Sequence, residues 1–144
     1  MITVTDSSVS LTFGQHFGSK NGKNVLALNR AAGVAVTLPV AIGSGKSIHI
    51  VNVAAVTSNS HTVKVPDASG TIRGTALLAQ DGGDTSVMFE AGATADTITL
   101  DGTTTGGLVG DWIELIDMAS NVWACRAHLA ATGSEATPFS ATVS

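Results

Sequence analysis

The run Gly43-Ser44-Gly45-Lys46-Ser47 contains the residue types that bind phosphate groups in nucleotide-binding proteins. In such a loop, Gly-x-x-x-x-Gly-Lys-Ser/Thr follows a strand and opens a helix whose N-terminal amides hold the phosphate. Here the position that requires the first glycine is Val40, and the residues after Ser47 alternate as a strand does. Nucleotide binding is therefore excluded. The run is predicted to be a tight turn, Gly43 to Gly45, between two strands of a hairpin.

Histidine and acidic side chains are the other groups that could hold a metal ion or transfer protons. The chain has four histidines, His16, His49, His61 and His128. None of them lies two or four residues from another His, Cys or carboxylate, the spacing that would put two metal ligands on one face of a strand or helix. His49 and His61 flank a predicted hairpin, across which they could pair, and His128 is expected on the polar face of the last long strand. The acidic glycine-rich runs lack the alternating oxygen ligands of a calcium loop. We therefore predict no catalytic residue, metal ion or cofactor, and no enzymatic activity.

The two tryptophans are candidates for a binding surface. Trp112 and Trp123 stand in consecutive predicted strands, so they are expected near one another. Packing in the core is the favoured interpretation for both rings, since no cluster of Tyr, Asn or Asp completes a sugar site. A sugar-stacking platform is the alternative. Cys125 shares the predicted face of Trp123 and is interpreted as a small buried apolar side chain.

Composition and charge limit the partners of the chain. The net charge is −4 and the seven Lys and Arg residues are scattered, whereas nucleic-acid binding needs clustered cations. No apolar run approaches the roughly 18 residues of a membrane helix, and the N-terminus has no signal-peptide pattern. With 44% apolar and only 12% charged residues, the chain is expected to cover part of its surface in a subunit or partner interface. Nucleic acid and membrane are excluded as partners.

The elements that must position these residues are strands. Alternation with a period of two predicts strands at GVAVTLPV (33–40), KSIHIVNV (46–53), HTVKV (61–65), SVMFE (86–90), DTITLDG (96–102), DWIELIDM (111–118) and VWACRAHLA (122–130). Turns are predicted at KNGK (20–23), PDASG (66–70), QDGGD (80–84), DGTTTGG (101–107) and the hairpin loop MASN (118–121). Residues 72–80 offer a turn or two of helix as an alternative, which Gly74 weakens.

Short strands at this spacing predict an all-β fold. We expect a single domain over residues 1–144, an antiparallel β-sandwich for which a jelly roll is one arrangement. The segments 1–10 and 131–144 are expected to be an extended N-terminal arm and C-terminal tail, with Phe139 anchoring the tail in a groove of its own domain or of a neighbour. From their terminal position and apolar character, Ile2, Val4 and Phe139 are predicted to contact a partner.

Three segments of the chain resemble small virion proteins of tailed bacteriophages. They are residues 24–65, 110–129 and 136–140, with the features Leu-x-Leu-Asn, Ala-Ala-Gly, Thr-Leu-Pro, Gly-x-Gly-Lys, Thr-Ser-Asn-x-His, and a Gly-Asp strand followed by a Trp strand. In these features the chain is similar to capsid decoration, or cement, proteins and related head-associated β-domains. The combination of Ala-Ala-Gly and Thr-Leu-Pro also occurs in phage fibre and tail proteins.

The resemblance implies a β-sandwich or jelly roll, without catalytic residues, that binds the outside of an icosahedral shell. We therefore expect a structural virion protein on the capsid exterior that stabilises the shell by bridging major capsid protein subunits. It would be made in the host bacterial cytoplasm and act as a homo-oligomer, with a trimer favoured over a dimer. The alternatives are a head-fibre, tail or receptor-binding virion domain, and a carbohydrate-binding β-sandwich that presents Trp112 or Trp123 to solvent.

Overall fold

The computed structural model describes residues 1–17, 24–81 and 85–143. Their strands are β1 (Ile2–Val4), β2 (Ser8–Ser10), β3 (Asn24–Leu28), β4 (Ala35–Thr37), β5 (Ser47–Asn52), β6 (His61–Lys64), β7 (Thr71–Gln80), β8 (Ser86–Glu90), β9 (Thr97–Leu100), β10 (Trp112–Ala119), β11 (Val122–Ala131) and β12 (Phe139–Ser140), with one helical turn, α1 (Phe13–His16). The predicted turn at 20–23 and residues 82–84 of the turn at 80–84 lie outside the described residues. No helix within the described ranges is long and apolar enough to cross a membrane.

The strands form two sheets that pack face to face, which confirms the all-β sandwich. The large sheet has the order β1-β3-β5-β10-β11-β7-β8, and the small sheet has the order β12-β9-β6-β4-β2. Both sheets are mixed rather than purely antiparallel, because the pairs β1–β3, β3–β5, β7–β11, β2–β4 and β4–β6 are parallel. A jelly roll is not confirmed.

The core lies between the sheets and is filled by one face of each strand, as the alternation predicts. Val34, Val36 and Leu38 around β4 are buried. On β11 the buried side chains are Trp123, Cys125, Ala127 and Leu129, while Arg126 and His128 are exposed. Burial raises the pKa of the Cys125 thiol to about 12, so this cysteine is an apolar core residue, as predicted.

Residues 72–80 belong to strand β7, and the helical alternative is wrong. β7 pairs with β11 in parallel register along its whole length, and Ile72 and Leu78 point into the core. Gly74 has a φ of 135°, and a Cβ atom there would lie 1.9 Å from the carbonyl oxygen of Cys125. The glycine therefore permits close strand pairing, which local sequence cannot reveal.

Both terminal segments are strands of this chain's own sandwich. β1 pairs with β3, β2 pairs with β4, and β12 pairs with β9. Val4 is 6% exposed and Phe139 is 7% exposed, so both side chains anchor their segments in the core, whereas Ile2 is 41% exposed. Of the three residues predicted to contact a partner, Ile2 alone presents substantial surface in this conformation. Contact of the three with a partner stays a prediction.

Candidate interaction surfaces

The glycine-rich loop 38–46 binds a carboxylate of its own chain. It connects β4 in the small sheet to β5 in the large sheet, so the predicted hairpin is wrong. Asp117 Oδ1 accepts hydrogen bonds from the backbone N–H groups of Ile42 and Gly43, both at 2.8 Å. Its Oδ2 accepts from the N–H of Ser44 at 2.8 Å and from the Ser44 hydroxyl at 2.6 Å. The loop therefore does hold an anion, and that anion is Asp117.

The Asp117 carboxylate fixes the loop. Burial alone would raise the pKa of Asp117, but the hydrogen bonds from Ser44, Gly43 and Ile42 together lower it below the ordinary value. Two more contacts hold the same loop, since the indole N–H of Trp123 donates to the Pro39 carbonyl at 3.1 Å and Asn121 N–H donates to the Ala41 carbonyl at 2.9 Å. The loop is thus tied to the β10–β11 hairpin at both ends.

This fixed loop exposes apolar side chains. Val40 is 46% exposed and Ile42 is 65% exposed, and Met118 at the end of β10 is 53% exposed. Ile42 pairs with Ser120 in an isolated bridge, which brings the loop beside the hairpin turn. We call residues 38–46 together with 118–121 the tip. Its rim is polar, since the exposed Asp67 and Ser69 lie beside Val40 and the exposed Lys46 ends the loop.

The outer faces of the two sheets differ in composition. Alternation and register place the following side chains on the outside of the small sheet: Ser8, Ser10, Ala35, Thr37, Thr62, Lys64 and Thr99. The corresponding side chains of the large sheet, which we call the open face, are Thr3, Val25, Ala27, Ser47, His49, Val51, Thr71, Arg73, Thr75, Leu77, Ala79, Ser86, Met88, Glu90, Trp112, Glu114, Ile116, Val122, Ala124, Arg126, His128 and Ala130. The outer face of the small sheet is therefore polar, whereas about half of the side chains on the open face are apolar.

Trp112 and Trp123 lie on opposite faces of the β10–β11 hairpin. Trp123 is fully buried, and the rings of Phe13 and Phe17 pack 6.0 Å and 5.6 Å from it. Trp112 lies on the open face, so core packing is confirmed for Trp123 and wrong for Trp112. His49 from β5 and His128 from β11 stack against Trp112 at 6.0 Å and 4.8 Å. Because both neighbouring strands place a ring against Trp112, it does not form the open platform that a sugar site requires.

The four histidines do not meet. His49 lies on the open face, where Nε2 is 3.3 Å from Oε1 of Glu114, whereas His61 is buried in the small sheet. The predicted hairpin pair of His49 and His61 is therefore wrong, because the two strands are in different sheets. His16 Nδ1 accepts from the Thr12 N–H at 3.0 Å and so closes the turn of α1. Among the described residues, no group of three or more His, Cys, Asp or Glu side chains is placed to hold a metal ion.

Several depressions lie on the open face, one of them of about 320 Å³ beside Leu77, His128 and Ala130. An apolar groove of about 640 Å³ surrounds Trp112 and is lined by Val25, Val51, Val53 and Val109 among others. Another depression of about 300 Å³ lies between Arg73, Arg126, Glu114 and Met118. The open face is therefore an uneven surface, with an apolar groove beside Trp112 and polar and charged side chains around it.

No protein-family model matches the sequence, and searches of curated proteins and of solved structures likewise found no match. We therefore argue function from the tip, the open face and the residues that carry the resemblance to phage virion proteins. Sequence reasoning missed the tip. The signal that could have found it is Asp117, which shares the buried face of Ile113 and Leu115 and therefore needs hydrogen-bond donors from elsewhere in the chain.

Proposed function

We propose that this chain is a structural protein of a tailed-bacteriophage virion, which binds the outer surface of the icosahedral capsid and stabilises it by bridging major capsid protein subunits. The observation that carries the proposal is the tip, where apolar side chains are exposed on a loop that is held rigidly. Two of the motifs that resemble phage virion proteins flank this tip: Thr-Leu-Pro at 37–39 begins the loop at the end of β4, and Gly-x-Gly-Lys at 43–46 ends it.

The construction of the tip suits protein binding. An exposed apolar centre with a polar rim is the usual anatomy of a protein interface. A loop that is already fixed loses less conformational entropy when it binds, so more of the contact energy appears as affinity. The hydrogen bonds of Asp117 supply this fixation at Ile42, Gly43 and Ser44.

Bridging requires more than one tip in each functional unit. A single apolar loop of this size makes a weak contact, and several linked copies bind far more tightly than one because later contacts form at high effective concentration. The proposal therefore includes a homo-oligomer on the capsid exterior, whose tips each contact a different major capsid protein subunit.

The first test is co-sedimentation of the purified protein with cognate heads that lack it, titrated to saturation. We expect saturation in proportion to the number of capsid subunits, and greater heat resistance of the coated heads. Ile42→Lys should weaken binding by about tenfold or more, because a lysine ammonium at a desolvated contact is costly. Thr103→Lys is the matched control, since Thr103 is exposed on a loop at the opposite end of the sandwich, and it should bind as the unmodified protein does.

Other results would overturn parts of the proposal. Equal binding of Ile42→Lys and the unmodified protein would show that the tip does not contact the shell. Saturation at one vertex or at the tail would favour the head-fibre or tail alternative. Complete absence of binding to heads would exclude the capsid function.

A further inference from the structure

The open face shares some residue types with the centres of protein interfaces. It carries Trp112, Met88 and two arginines, and none of its residues is a lysine, whereas the small sheet exposes Ser, Thr and Lys64. Enrichment in Trp, Met and Arg and depletion of Lys distinguish interface centres from ordinary surface. The face also contains the apolar groove beside Trp112, and large exposed apolar patches mark sites of protein association.

The formal charges on the open face balance one another. They are Glu90, Glu114, Arg73 and Arg126, which sum to zero apart from the histidines. Among the described residues, the ion pair on this face joins Glu114 to His49, and neither arginine takes part in one. A surface with equal numbers of both charges can complement a second copy of itself if a symmetry axis exchanges acids with arginines.

The strand register defines such an axis. Glu114 on β10 lies directly opposite Arg126 on β11, and Trp112 lies opposite His128. We propose that a second copy of the chain covers the open face, related by a two-fold axis that runs parallel to the strands between β10 and β11. This axis places Glu114 of each copy against Arg126 of the other.

The same axis matches the row of side chains through Trp112. In the row through Trp112, the register runs Val51, Trp112, His128, Leu77, Met88 from β5 to β8. The two-fold therefore sets Val51 against Leu77 of the second copy, and Trp112 against its His128. In the row through Glu114 the axis sets His49 against Thr75, and Val25 against Glu90, of the second copy, so the charge complementarity rests on Glu114 and Arg126.

The face is large enough for a stable dimer. Seven strands about 4.8 Å apart span about 29 Å, and the eight residues of β10 extend about 27 Å. The resulting area of roughly 800 Å² per copy equals that of a standard protein interface. The homo-oligomer is thus a dimer rather than the favoured trimer, because a three-fold axis must join two different surfaces, whereas this face complements itself.

The dimer can be inferred without the capsid function, but the two are compatible. A two-fold axis parallel to the strands leaves both tips at the same end of the dimer. Two tips pointing in one direction could contact two neighbouring capsid subunits, as bridging requires.

The test exchanges charges between copies. Sedimentation equilibrium should show a dimer for the unmodified protein, and E114R and R126E should each raise the dimer dissociation constant by about tenfold or more, because like charges then face each other across the axis. An equimolar mixture of E114R with R126E should dimerise again, since every contact between positions 114 and 126 of the two copies then joins opposite charges. Each chain in the mixture still carries its own like-charged pair, so only contacts between chains can explain the recovery.

Thr99→Arg on the outer face of the small sheet is the control and should remain dimeric. A monomeric unmodified protein, single variants that dimerise normally, or a mixture that stays monomeric would each overturn the proposal. Thermal unfolding of every variant verifies that it is folded. A monomer that still coats heads would contradict the dimer alone, and a dimer that fails to bind heads would contradict the capsid function alone.

Discussion

At the scale of single residues, His61 shows how burial creates a dependence of stability on pH. Its Nδ1 accepts a hydrogen bond from the Val34 N–H at 2.9 Å, which requires the neutral ring. Burial lowers the pKa of His61 from 6.5 to about 4, and the Ala54 carbonyl opposes this shift only in part. The folded pKa is below the unfolded one, so the stabilisation is fully present above pH 6.5 and is lost as the pH falls toward 4.

We expect the free energy of unfolding to decrease by roughly 3 kcal/mol from this group between pH 7 and pH 4. Urea unfolding at several pH values measures it. His61→Asn, whose amide oxygen can replace Nδ1 as acceptor, should lower stability at pH 7 and flatten the slope in this window. Val63→Ala, which also weakens the core of the small sheet but leaves His61 in place, should keep the original slope. If the pH dependence of stability is unchanged in His61→Asn, His61 is not the group that causes it.

The alternation of HTVKV allows burial of His61 to be read from the sequence, since it places His61 on the face of Val63 and Val65. The sequence suggested His49 as the partner of His61, and the structure gives Val34 instead. Alternation shows which face of a strand a residue occupies. The hydrogen-bond partner depends on which strands come together in the fold, and those strands are distant in the sequence.

At the scale of elements, the end of β10 and loop 38–46 form one unit through Asp117. Asp117 is fully buried, on the same face of β10 as Ile113 and Leu115. The donors at Ile42, Gly43 and Ser44 lie 73 to 75 residues earlier in the sequence. No local sequence pattern connects these donors to Asp117. The glycine-rich turn could therefore be predicted from the sequence, but its attachment to the end of β10 could not.

Asp117→Ala should release the tip without unfolding the sandwich. It removes the acceptor of four hydrogen bonds. Each bond to a charged group contributes about 1.5–3 kcal/mol at most. Because water replaces some of these bonds, we expect the free energy of unfolding to fall by about 2 kcal/mol. Amide hydrogen exchange should accelerate at Ile42, Gly43 and Ser44 while β7 and β11 stay protected. Binding to heads should weaken in parallel.

Asp117→Asn is the graded comparison, because its amide oxygen keeps part of the acceptor capacity. Its exchange rates at residues 42–44 should lie between those of the unmodified protein and those of Asp117→Ala. Since the pKa of Asp117 is lowered, its contribution is present above the ordinary carboxyl pKa and is lost as the pH falls below it. Unchanged exchange at residues 42–44 in Asp117→Ala would show that the loop is held by its other contacts.

At the scale of the whole molecule, the sandwich could be predicted and its strand order could not. Strand period and turn spacing suffice for the fold class. From β3 to β7 the chain alternates between the two sheets at every connection, so β3 pairs parallel with β5 and β4 pairs parallel with β6. Those crossings depend on how the faces pack together, and short turns such as Gly43 to Gly45 look alike whether they close a hairpin or change sheets.

The last prediction tests whether the terminal segments belong to the fold or to a partner. β12 completes the small sheet, and Phe139 is buried in this chain's core. Phe139→Ala should therefore lower the free energy of unfolding of the isolated protein by about 3 kcal/mol, whereas Ile2→Ala, at an exposed position, should change it by about 0.5 kcal/mol or less. Denaturant unfolding of the two variants decides the matter. A Phe139→Ala protein as stable as the original, but unable to bind heads, would show instead that the tail leaves this groove and clamps a neighbouring subunit.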